Sequence, residues 1–379
     1  MAAAESTALF PVSAALHPLN TTKIFSAKKQ LLRQLHMLSY RTGLSSLGAR
    51  LNAQTIDGSV ASILMYHSIP SAHEVAWMDP RNCLSAGCFD RHMQFLATRR
   101  YVVSLDRLLA QLAAGEPIRR GTVAITFDDG YLNNLQIAAP ILAKYNLPAT
   151  LYLATAYVDT GENQWIDTLY SAFRARSQHS LTLSGLNGLN GLSGLNGLSW
   201  DLSIESTEAY RQVAQRLIEC TPEQRQAILQ AVDEQLAPKA YPPRMTMTWD
   251  EVRELQRDYP NVTLGVHTAN HLDLATHSDR TAEEIQSAIA RIKAETGQRP
   301  QHLAFPYNRY NKVSQTQVAQ HLRSAVAVAS DPVVRSDTSP YALPRLEAPR
   351  SLTLLKSWTN GGFPDVGKRL FGHVWTQPF

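Results

Sequence analysis

Short apolar runs alternate with amphipathic stretches along the chain from about residue 60 onward. Seven runs are bounded by turn residues, as buried strands are, and they span residues 60–66, 101–103, 122–127, 149–154, 261–266, 302–305 and 324–329. Helical spacing of apolar residues fills the intervals, at residues 89–98, 105–113, 134–145, 249–256, 282–296 and 314–323. Strands that are apolar throughout and alternate with helices predict a parallel sheet covered by helices. Seven or eight such units favour a closed barrel over an open sheet.

The alternation stops between residues 156 and 244. Within this stretch, residues 185–199 form Gly-Leu-Asn and Gly-Leu-Ser triplets without proline, which excludes collagen. Helical patterns flank the repeat at residues 165–174 and 206–236. We therefore expect residues 156–244 to be an insertion in a barrel domain spanning residues 59–379, with the repeat as a surface loop. The sequence leaves open whether the insertion is a lid or has no functional role.

The first 58 residues differ in character from the barrel segment. Lysines and arginines are interleaved with leucines across residues 28–51, which predicts a basic amphipathic helix. Two interpretations stay open: the helix packs on the barrel, or it binds an anionic membrane surface. The chain has no uninterrupted apolar stretch of about 18 residues, and Glu5 precedes any basic residue, unlike in a signal peptide. We therefore expect a cytoplasmic protein, with peripheral contact to the inner membrane surface under the second interpretation.

Composition narrows the class of protein. Hydrophobic residues make up 44% and charged residues 18% of the chain, which is ordinary globular usage and excludes a disordered chain or a coiled coil. The net charge of +4 is too small to indicate a nucleic-acid partner. The three cysteines cannot form a disulfide framework, which favours a reducing compartment. Nothing in the composition indicates a protein partner.

Two adjacent carboxylates follow the apolar run that ends at Phe127. Asp128 and Asp129 would repel one another at the carboxyl end of a strand unless a cation or a proton lies between them. Adjacent side chains diverge, so one carboxylate can bind a metal while the other faces the water that the metal activates. An Asp-Asp-Gly turn on the surface is the simpler alternative. The strand before the pair and the helix after it favour a functional site.

Two histidines follow another apolar run. His267 and His271 are four residues apart, so one helical turn can direct both imidazoles at a single divalent ion. With Asp129 they would form a set of two histidines and one carboxylate, which leaves coordination positions open, as in catalytic metal sites. His277 lacks this spacing and is interpreted as a surface histidine.

Two more strand ends carry candidate residues. His67 follows the run that ends at Tyr66, where an imidazole beside a metal could protonate a leaving group. The alternative is a core histidine that is hydrogen-bonded to a backbone carbonyl. Pro306 and Tyr307 follow another run, and a rigid backbone N–H there could stabilise an oxyanion. A simple turn is the alternative.

Several segments together resemble the motifs of the NodB-type polysaccharide deacetylases, carbohydrate esterase family four. The first three motifs are matched, in order, by Thr126-Phe-Asp-Asp-Gly130, His267-Thr-Ala-Asn-His271 and Phe305-Pro-Tyr307. Met65-Tyr-His67 and Leu343-Pro-Arg345 resemble further motifs of the subgroup that acts on bacterial exopolysaccharides. Thr248-Trp-Asp250, before the histidine motif, is also typical of the family. The resemblance covers roughly residues 59–350. The ordered motifs are specific for the family and not for a substrate.

The resemblance implies a distorted (β/α) barrel of about seven strands that hydrolyses N-acetyl groups of hexosamines. It implies one divalent ion, with zinc expected and nickel, cobalt or manganese as alternatives. The family's metal ligands correspond to Asp129, His267 and His271.

The same resemblance assigns the remaining roles. Asp128 matches the general base, and Tyr307 matches the residue whose backbone N–H faces the oxyanion. His67 resembles the acid of relatives in which this motif lies near the N-terminus. Many members have an arginine where this chain has Ala304, and we expect Arg345 to supply that charge beside Asp128.

The chain departs from the family pattern at two further places. The usual glycine after the tyrosine is Asn308, and the C-terminal Leu-x-x-His motif is not evident, since His373 lies too close to the end.

We expect a metal-dependent hydrolase that deacetylates hexosamine units of a polysaccharide, oligosaccharide or lipid-linked glycan. Its partner would be an N-acetylated glycan. One alternative is a metal-dependent hydrolase of another non-peptide C–N bond, such as that of a small amide. The other is a non-catalytic barrel that binds carbohydrate.

Overall fold

The computed structural model describes residues 60–183, 197–329 and 331–360 of the chain. The strands in these residues are β1 (Ala61–Tyr66), β2 (Tyr101–Val102), β3 (Thr122–Phe127), β4 (Ala149–Leu153), β5 (Ser180–Leu183), β6 (Leu198–Asp201), β7 (Val262–Val266), β8 (His302–Ala304), β9 (Ser324–Val328) and β10 (Leu343–Glu347).

Seven of these strands close into a parallel barrel. Their hydrogen-bonded order is β1-β10-β9-β8-β7-β4-β3, and β3 pairs back with β1 from Ala61↔Thr122 to Tyr66↔Phe127. The short β2 is not one of the seven; it pairs in parallel with the amino end of β3, at Tyr101↔Thr122 and Val102↔Val123. The predicted distorted (β/α) barrel of about seven strands is therefore confirmed, and the carboxyl ends of all seven strands lie at one end of it.

Helices cover the outside of the barrel. The helices of the described residues are α1 (Ala86–Arg99), α2 (Leu105–Ala113), α3 (Ala139–Lys144), α4 (Thr155–Thr160), α5 (Trp165–Ala175), α6 (Ser206–Ile218), α7 (Pro222–Leu236), α8 (Trp249–Asp258), α9 (Thr281–Thr296), α10 (Lys312–His321) and α11 (Leu352–Trp358). Of these, α5, α6 and α7 belong to the segment between β4 and β7. A single π-helical turn, Asn134–Ala138, leads into α3. Side-chain caps start several helices; Thr221 and Gln224, for example, form a capping box on α7.

The strands are buried on both faces, as their apolar sequences predict. Ile63 and Ala124 belong to one hydrophobic cluster, whereas their neighbours Leu64 and Ile125 belong to another. Because side chains alternate across a strand, the two clusters are the barrel interior and the layer between barrel and helices.

Two β-elements were missing from the sequence prediction. The strand β10 lies between β1 and β9 and completes the barrel, but Pro344 interrupts its apolar pattern, and proline argues against a central strand. The strands β5 and β6 pair as an antiparallel hairpin, from Ser180↔Asp201 to Leu183↔Leu198, inside the region that we expected to be helices and loop.

The segment between β4 and β7 has a hydrophobic cluster of its own, which includes Trp165, Leu181, Trp200, Val213 and Ile228. The division into an extension at residues 1–58, a barrel domain and an insertion at residues 156–244 stays a prediction. The basic stretch at residues 28–51, most of the triplet repeat and His373 lie outside the described residues. Among the described residues, no helix has the length and apolar character needed to cross a membrane.

Candidate metal and catalytic site

The carboxyl ends of four barrel strands bring the candidate residues together. Asp128 and Asp129 directly follow β3, and His267 directly follows β7. His67 follows β1, and Tyr307 lies in the 3₁₀ turn after β8. Parallel strands all end at the same edge, so residues far apart in sequence become neighbours there.

Three of these residues form a compact buried group. The ligand atoms of Asp129, His267 and His271 all lie within 4.8 Å of one another. The two Nε2 atoms are 3.1 Å apart, and they lie 3.4 Å (His267) and 3.3 Å (His271) from Asp129 Oδ1. That oxygen is buried and has no hydrogen-bond partner of good geometry among the described residues. A buried carboxylate oxygen without a partner is costly unless a cation completes the site.

Hydrogen bonds on the far side of each imidazole fix which nitrogen is free. His267 Nδ1 lies 2.8 Å from the carbonyl oxygen of Ala304, which can only accept, so Nδ1 carries the hydrogen. The Tyr307 hydroxyl donates to the His271 carbonyl at 3.1 Å, and its oxygen therefore accepts from His271 Nδ1 at 2.8 Å. Both Nε2 atoms then present lone pairs, the tautomer that metal-bound histidines adopt. The donor set thus fits a divalent ion.

The electrostatics of the group also favour a cation. Burial lowers the pKa of His271 to about 4, so this imidazole is neutral at neutral pH. Burial also acts to lower the pKa of His267, but Asp128 and Asp129 outweigh it, and the net shift is upward. The carboxylates therefore draw a positive charge to this point, which either a proton or a metal ion can supply.

Backbone strain is concentrated at the same residues. Asp129 (φ 76°), Thr268 (φ 61°), His271 (φ 50°) and Tyr307 (φ 57°) all have left-handed backbones. Each such residue costs about 1–3 kcal/mol and persists only where its surroundings hold it. Gly130 follows Asp129 with φ 78°, a left-handed backbone that favours glycine over any residue with a Cβ.

Asp128 forms a buried ion pair with Arg345. The guanidinium donates two hydrogen bonds of 2.7 Å to the two carboxylate oxygens, and Arg345 is fully buried. Burial alone would raise the pKa of Asp128, but the charge and the hydrogen bonds of Arg345 act against it, and the net shift is below the usual value. The Asp128 carboxylate is therefore ionised at neutral pH.

Arg345 lies in β10, the strand that the sequence prediction missed. The resemblance nevertheless led us to expect a positive charge from Arg345 beside Asp128, and the structure places its guanidinium 2.7 Å from that carboxylate. The carbonyl oxygen of Ala304 accepts the hydrogen bond of His267 Nδ1. Asn308 adopts φ 58°, which asparagine tolerates better than most residues, and its side chain accepts a hydrogen bond from Val328 N at 2.8 Å.

His67 lies at the opening of the site. Its Nε2 is 4.0 Å from Asp128 Oδ2, and its side chain is 22% exposed. Asn134 Nδ2 donates to the His67 carbonyl at 2.8 Å and fixes the backbone there. His67 is thus a partly exposed imidazole beside Asp128, rather than the core histidine of the alternative interpretation. His277, by contrast, contacts the carbonyl of Glu219 at 2.9 Å and is not part of this group.

Sequence reasoning missed the contacts that come from the inserted segment. Gln164 donates to the Asp129 carbonyl at 3.0 Å, and Trp165 Nε1 donates to the Tyr307 hydroxyl at 2.8 Å. Arg225 on α7 donates to the carbonyls of Asn270 and His271, both at 3.3 Å. The signal in the sequence was their type alone: large polar or aromatic residues within the expected insertion.

Comparisons with known proteins indicate the family of the chain. A family profile described as "Polysaccharide deacetylase" matches residues 115–325, more than half of the chain. YxkH of Bacillus subtilis (strain 168), which carries the name of a polysaccharide deacetylase, is 34% identical over 92 residues. That match covers 24% of this chain and only 30% of the relative's length.

Solved structures share the fold at low identity. The deacetylase PplD of Streptococcus pyogenes, in complex with acetate, is 17% identical with a TM-score of 0.51, over 79% of this chain and 97% of that one. A de-N-acetylase from Aggregatibacter actinomycetemcomitans is 17% identical with a TM-score of 0.50, covering 79% and 99%. IcaB from Ammonifex degensii is 14% identical with a TM-score of 0.50, covering 80% and 97%.

Proposed function

The chain belongs to the polysaccharide deacetylase family, and from that premise we propose that it is a metal-dependent hydrolase that removes N-acetyl groups from hexosamine units of a glycan. The products are acetate and a free amine. The observation that carries the proposal is the buried group of Asp129, His267 and His271, with the ionised Asp128 next to it.

The chemistry of the donor set indicates the metal. Asp129, His267 and His271 offer one oxygen and two nitrogens, a combination that suits zinc and leaves further coordination positions open. Nickel, cobalt and manganese accept the same ligands. When bound, the ion lowers the pKa of a water molecule and polarises the acetyl carbonyl.

Asp128 is the proposed general base. Its ionised carboxylate accepts a proton from the water as the water oxygen bonds to the carbonyl carbon of the acetyl group. Arg345 holds both carboxylate oxygens at 2.7 Å, which keeps Asp128 ionised and fixes its orientation.

Tyr307 and His67 are assigned to the remaining steps. The backbone N–H of Tyr307, in the strained turn after β8, donates to the negative oxygen that develops when the carbonyl is attacked. The C–N bond then breaks, and His67 gives a proton to the departing nitrogen. Partial exposure of the His67 side chain, 22%, allows its proton to be replaced from solvent.

The test combines metal analysis of the purified full chain with acetate release from N-acetylglucosamine oligomers. We expect about one divalent ion per chain, release of acetate, and loss of that activity after chelation with recovery on adding zinc. Bound metal with turnover of small cyclic amides alone would instead support the hydrolase of another C–N bond. Bound metal and glycan binding without any turnover would support a carbohydrate-binding barrel.

A further inference from the structure

The loop that carries His271 is strained and must be held from outside. His271 has φ 50°, a left-handed backbone that costs free energy at a non-glycine residue. Its carbonyl accepts hydrogen bonds from two other segments, at 3.1 Å from the Tyr307 hydroxyl and at 3.3 Å from Arg225 Nη2. These bonds hold the backbone in the conformation that turns His271 Nε2 towards Asp129.

The Tyr307 hydroxyl connects three residues. It donates to the His271 carbonyl, and its oxygen accepts from His271 Nδ1 and from Trp165 Nε1, both at 2.8 Å. The two N–H donors occupy the two lone pairs of the hydroxyl oxygen. The hydroxyl hydrogen is therefore directed at the carbonyl. Trp165 belongs to the first turn of α5, in the segment inserted between β4 and β7.

Arg225 is the second connection from that segment. It is 2% exposed, and its guanidinium donates to four backbone carbonyls: Leu217 at 3.2 Å, Cys220 at 3.5 Å, and Asn270 and His271 at 3.3 Å each. Leu217 and Cys220 lie at the carboxyl end of α6, where a positive charge is favoured. The same guanidinium lies over the Trp165 ring, 5.3 Å from its centroid.

We propose that Trp165 and Arg225 are positioning residues for the metal ligand His271, so that the inserted segment is part of the metal site. Trp165 acts through the Tyr307 hydroxyl, and Arg225 acts through the His271 carbonyl. This inference rests on the proposed metal-dependent function. It adds a third interpretation of the insertion to the two given above, a lid or a segment without a role.

The inserted segment contains a matched control. Trp200 on β6 is buried in the same hydrophobic cluster as Trp165, at 7% and 4% exposure respectively. Its Nε1 also donates to a side chain, Gln212, at 3.3 Å. Trp165→Phe and Trp200→Phe therefore remove the same atoms from the same core, but only the first loses a hydrogen bond that leads to His271.

The experiment measures the zinc dissociation constant of each metal-free variant by competition with a chromophoric chelator, together with its melting temperature. We expect Trp165→Phe to weaken zinc binding about 10-fold, the lower end for residues that orient a metal ligand, and Trp200→Phe to leave it within about 2-fold. The two melting temperatures should fall by similar amounts. In acetate release at saturating zinc, Trp165→Phe should lower kcat and leave KM nearly unchanged, because it misplaces a ligand without touching the substrate.

Arg225 supplies a second measurement. Arg225→Lys keeps the charge but cannot reach both α6 and the His271 loop, so we expect weaker zinc binding there too, with a smaller effect than for Arg225→Met. Equal zinc affinities for Trp165→Phe and Trp200→Phe, or wild-type affinity in Arg225→Met, would overturn the positioning role. A wild-type protein that binds no metal and releases no acetate would instead overturn the proposed function, and the inference with it.

Discussion

A buried histidine lies beside a carboxylate at each end of the barrel, and the two pairs differ in what surrounds them. At the amino end, His302 Nε2 lies 3.1 Å from Asp106 Oδ1 and Nδ1 lies 2.9 Å from the Ser324 hydroxyl. Asp106 is 44% exposed, so water also solvates its charge. At the carboxyl end, His267 Nε2 faces the buried Asp129 and a second imidazole.

The difference distinguishes a pair with a structural role from the proposed metal site. Each polar atom of His302 has an ordinary hydrogen-bond partner, so the amino-end pair is complete as it stands. At the carboxyl end two lone pairs and a carboxylate oxygen face one another, and a proton or a metal ion is needed between them. The strained backbones of Asp129 and His271 lie at that end too, whereas His302 and Asp106 have none.

The largest expected effect tests the comparison directly. His271→Ala should abolish stoichiometric metal binding and bring acetate release to background, because it removes one of three protein ligands. His302→Ala should leave the metal content unchanged and lower only the free energy of unfolding. Metal analysis of both purified variants is the measurement, and loss of metal from both would erase the distinction between the two ends.

Removing the proposed base should be the next largest effect. Asp128→Asn preserves the shape of the side chain but cannot accept the proton of water, so we expect kcat to fall by about 10²- to 10⁴-fold. Metal content should stay at the wild-type level, since Asp128 is not in the ligand group. A variant that keeps the wild-type rate with normal metal would show that Asp128 is not the base.

The arginines at the two ends should differ in their effect on stability. Arg345→Met leaves the buried Asp128 without its paired charge, which should lower the free energy of unfolding by about 3–5 kcal/mol. Arg323 pairs with Asp106 at 3.2 Å on the surface, where the two side chains are 53% and 44% exposed. Arg323→Met should therefore cost no more than about 1 kcal/mol.

Denaturant unfolding of Arg345→Met and Arg323→Met at one salt concentration gives this contrast. Equal losses would mean that the Arg345 pair is as well solvated as the surface pair, against its complete burial.

A smaller effect should depend on pH. Burial raises the pKa of Asp167 on α5 to about 7, although the Tyr131 hydroxyl donates to it at 2.7 Å. The folded protein then binds a proton that the unfolded chain releases, so this group's contribution to stability decreases as pH rises from about 4 to about 7. Asp167→Asn should remove that decrease, up to about 1.4 kcal/mol per pH unit.

The measurement is the free energy of unfolding of wild type and Asp167→Asn at several pH values between 4 and 8. We expect the free energy of unfolding of the variant to increase relative to that of wild type as pH rises. A difference between the two that is constant with pH would mean that Asp167 titrates alike in the folded and unfolded chains.

The smallest effect concerns the triplet repeat. Leu183 and Leu198 form the last pair of the β5–β6 hairpin, so an Asn-Gly turn in place of residues 184–197 should close it. Surface loops add little closure entropy, and we expect the melting temperature and zinc affinity to stay within error of wild type. A large loss of stability would mean that the leucines of the repeat pack into a core.

The sequence was sufficient where one local pattern decides the structure. The apolar run at β3 is followed by two carboxylates and a glycine, so both the strand and the acidic pair at its carboxyl end can be read from neighbouring residues. The His267–His271 spacing carried a similar signal, although the loop there is a strained turn rather than the regular helical turn that the spacing suggested.

Prediction from the sequence failed where the structure of a segment depends on distant partners rather than on its own residue preferences. Pro344 argues against a strand, yet β10 forms because β1 and β9 leave a gap between them that only this segment fills. The contacts of Trp165 and Arg225 were likewise invisible, since 142 residues separate Trp165 from Tyr307 and 46 separate Arg225 from His271.

Alternating hydrophobicity and motif order thus determined the barrel and the candidates Asp128, Asp129, His267 and His271 from the sequence alone. Tertiary structure alone decided which atoms of those residues converge, and that Arg225 and Trp165 of the inserted segment contact the His271 loop and Tyr307. The reason is physical: strand and helix preferences act over a few neighbouring residues, whereas the burial of a charge and the strain of a backbone depend on every segment packed around them.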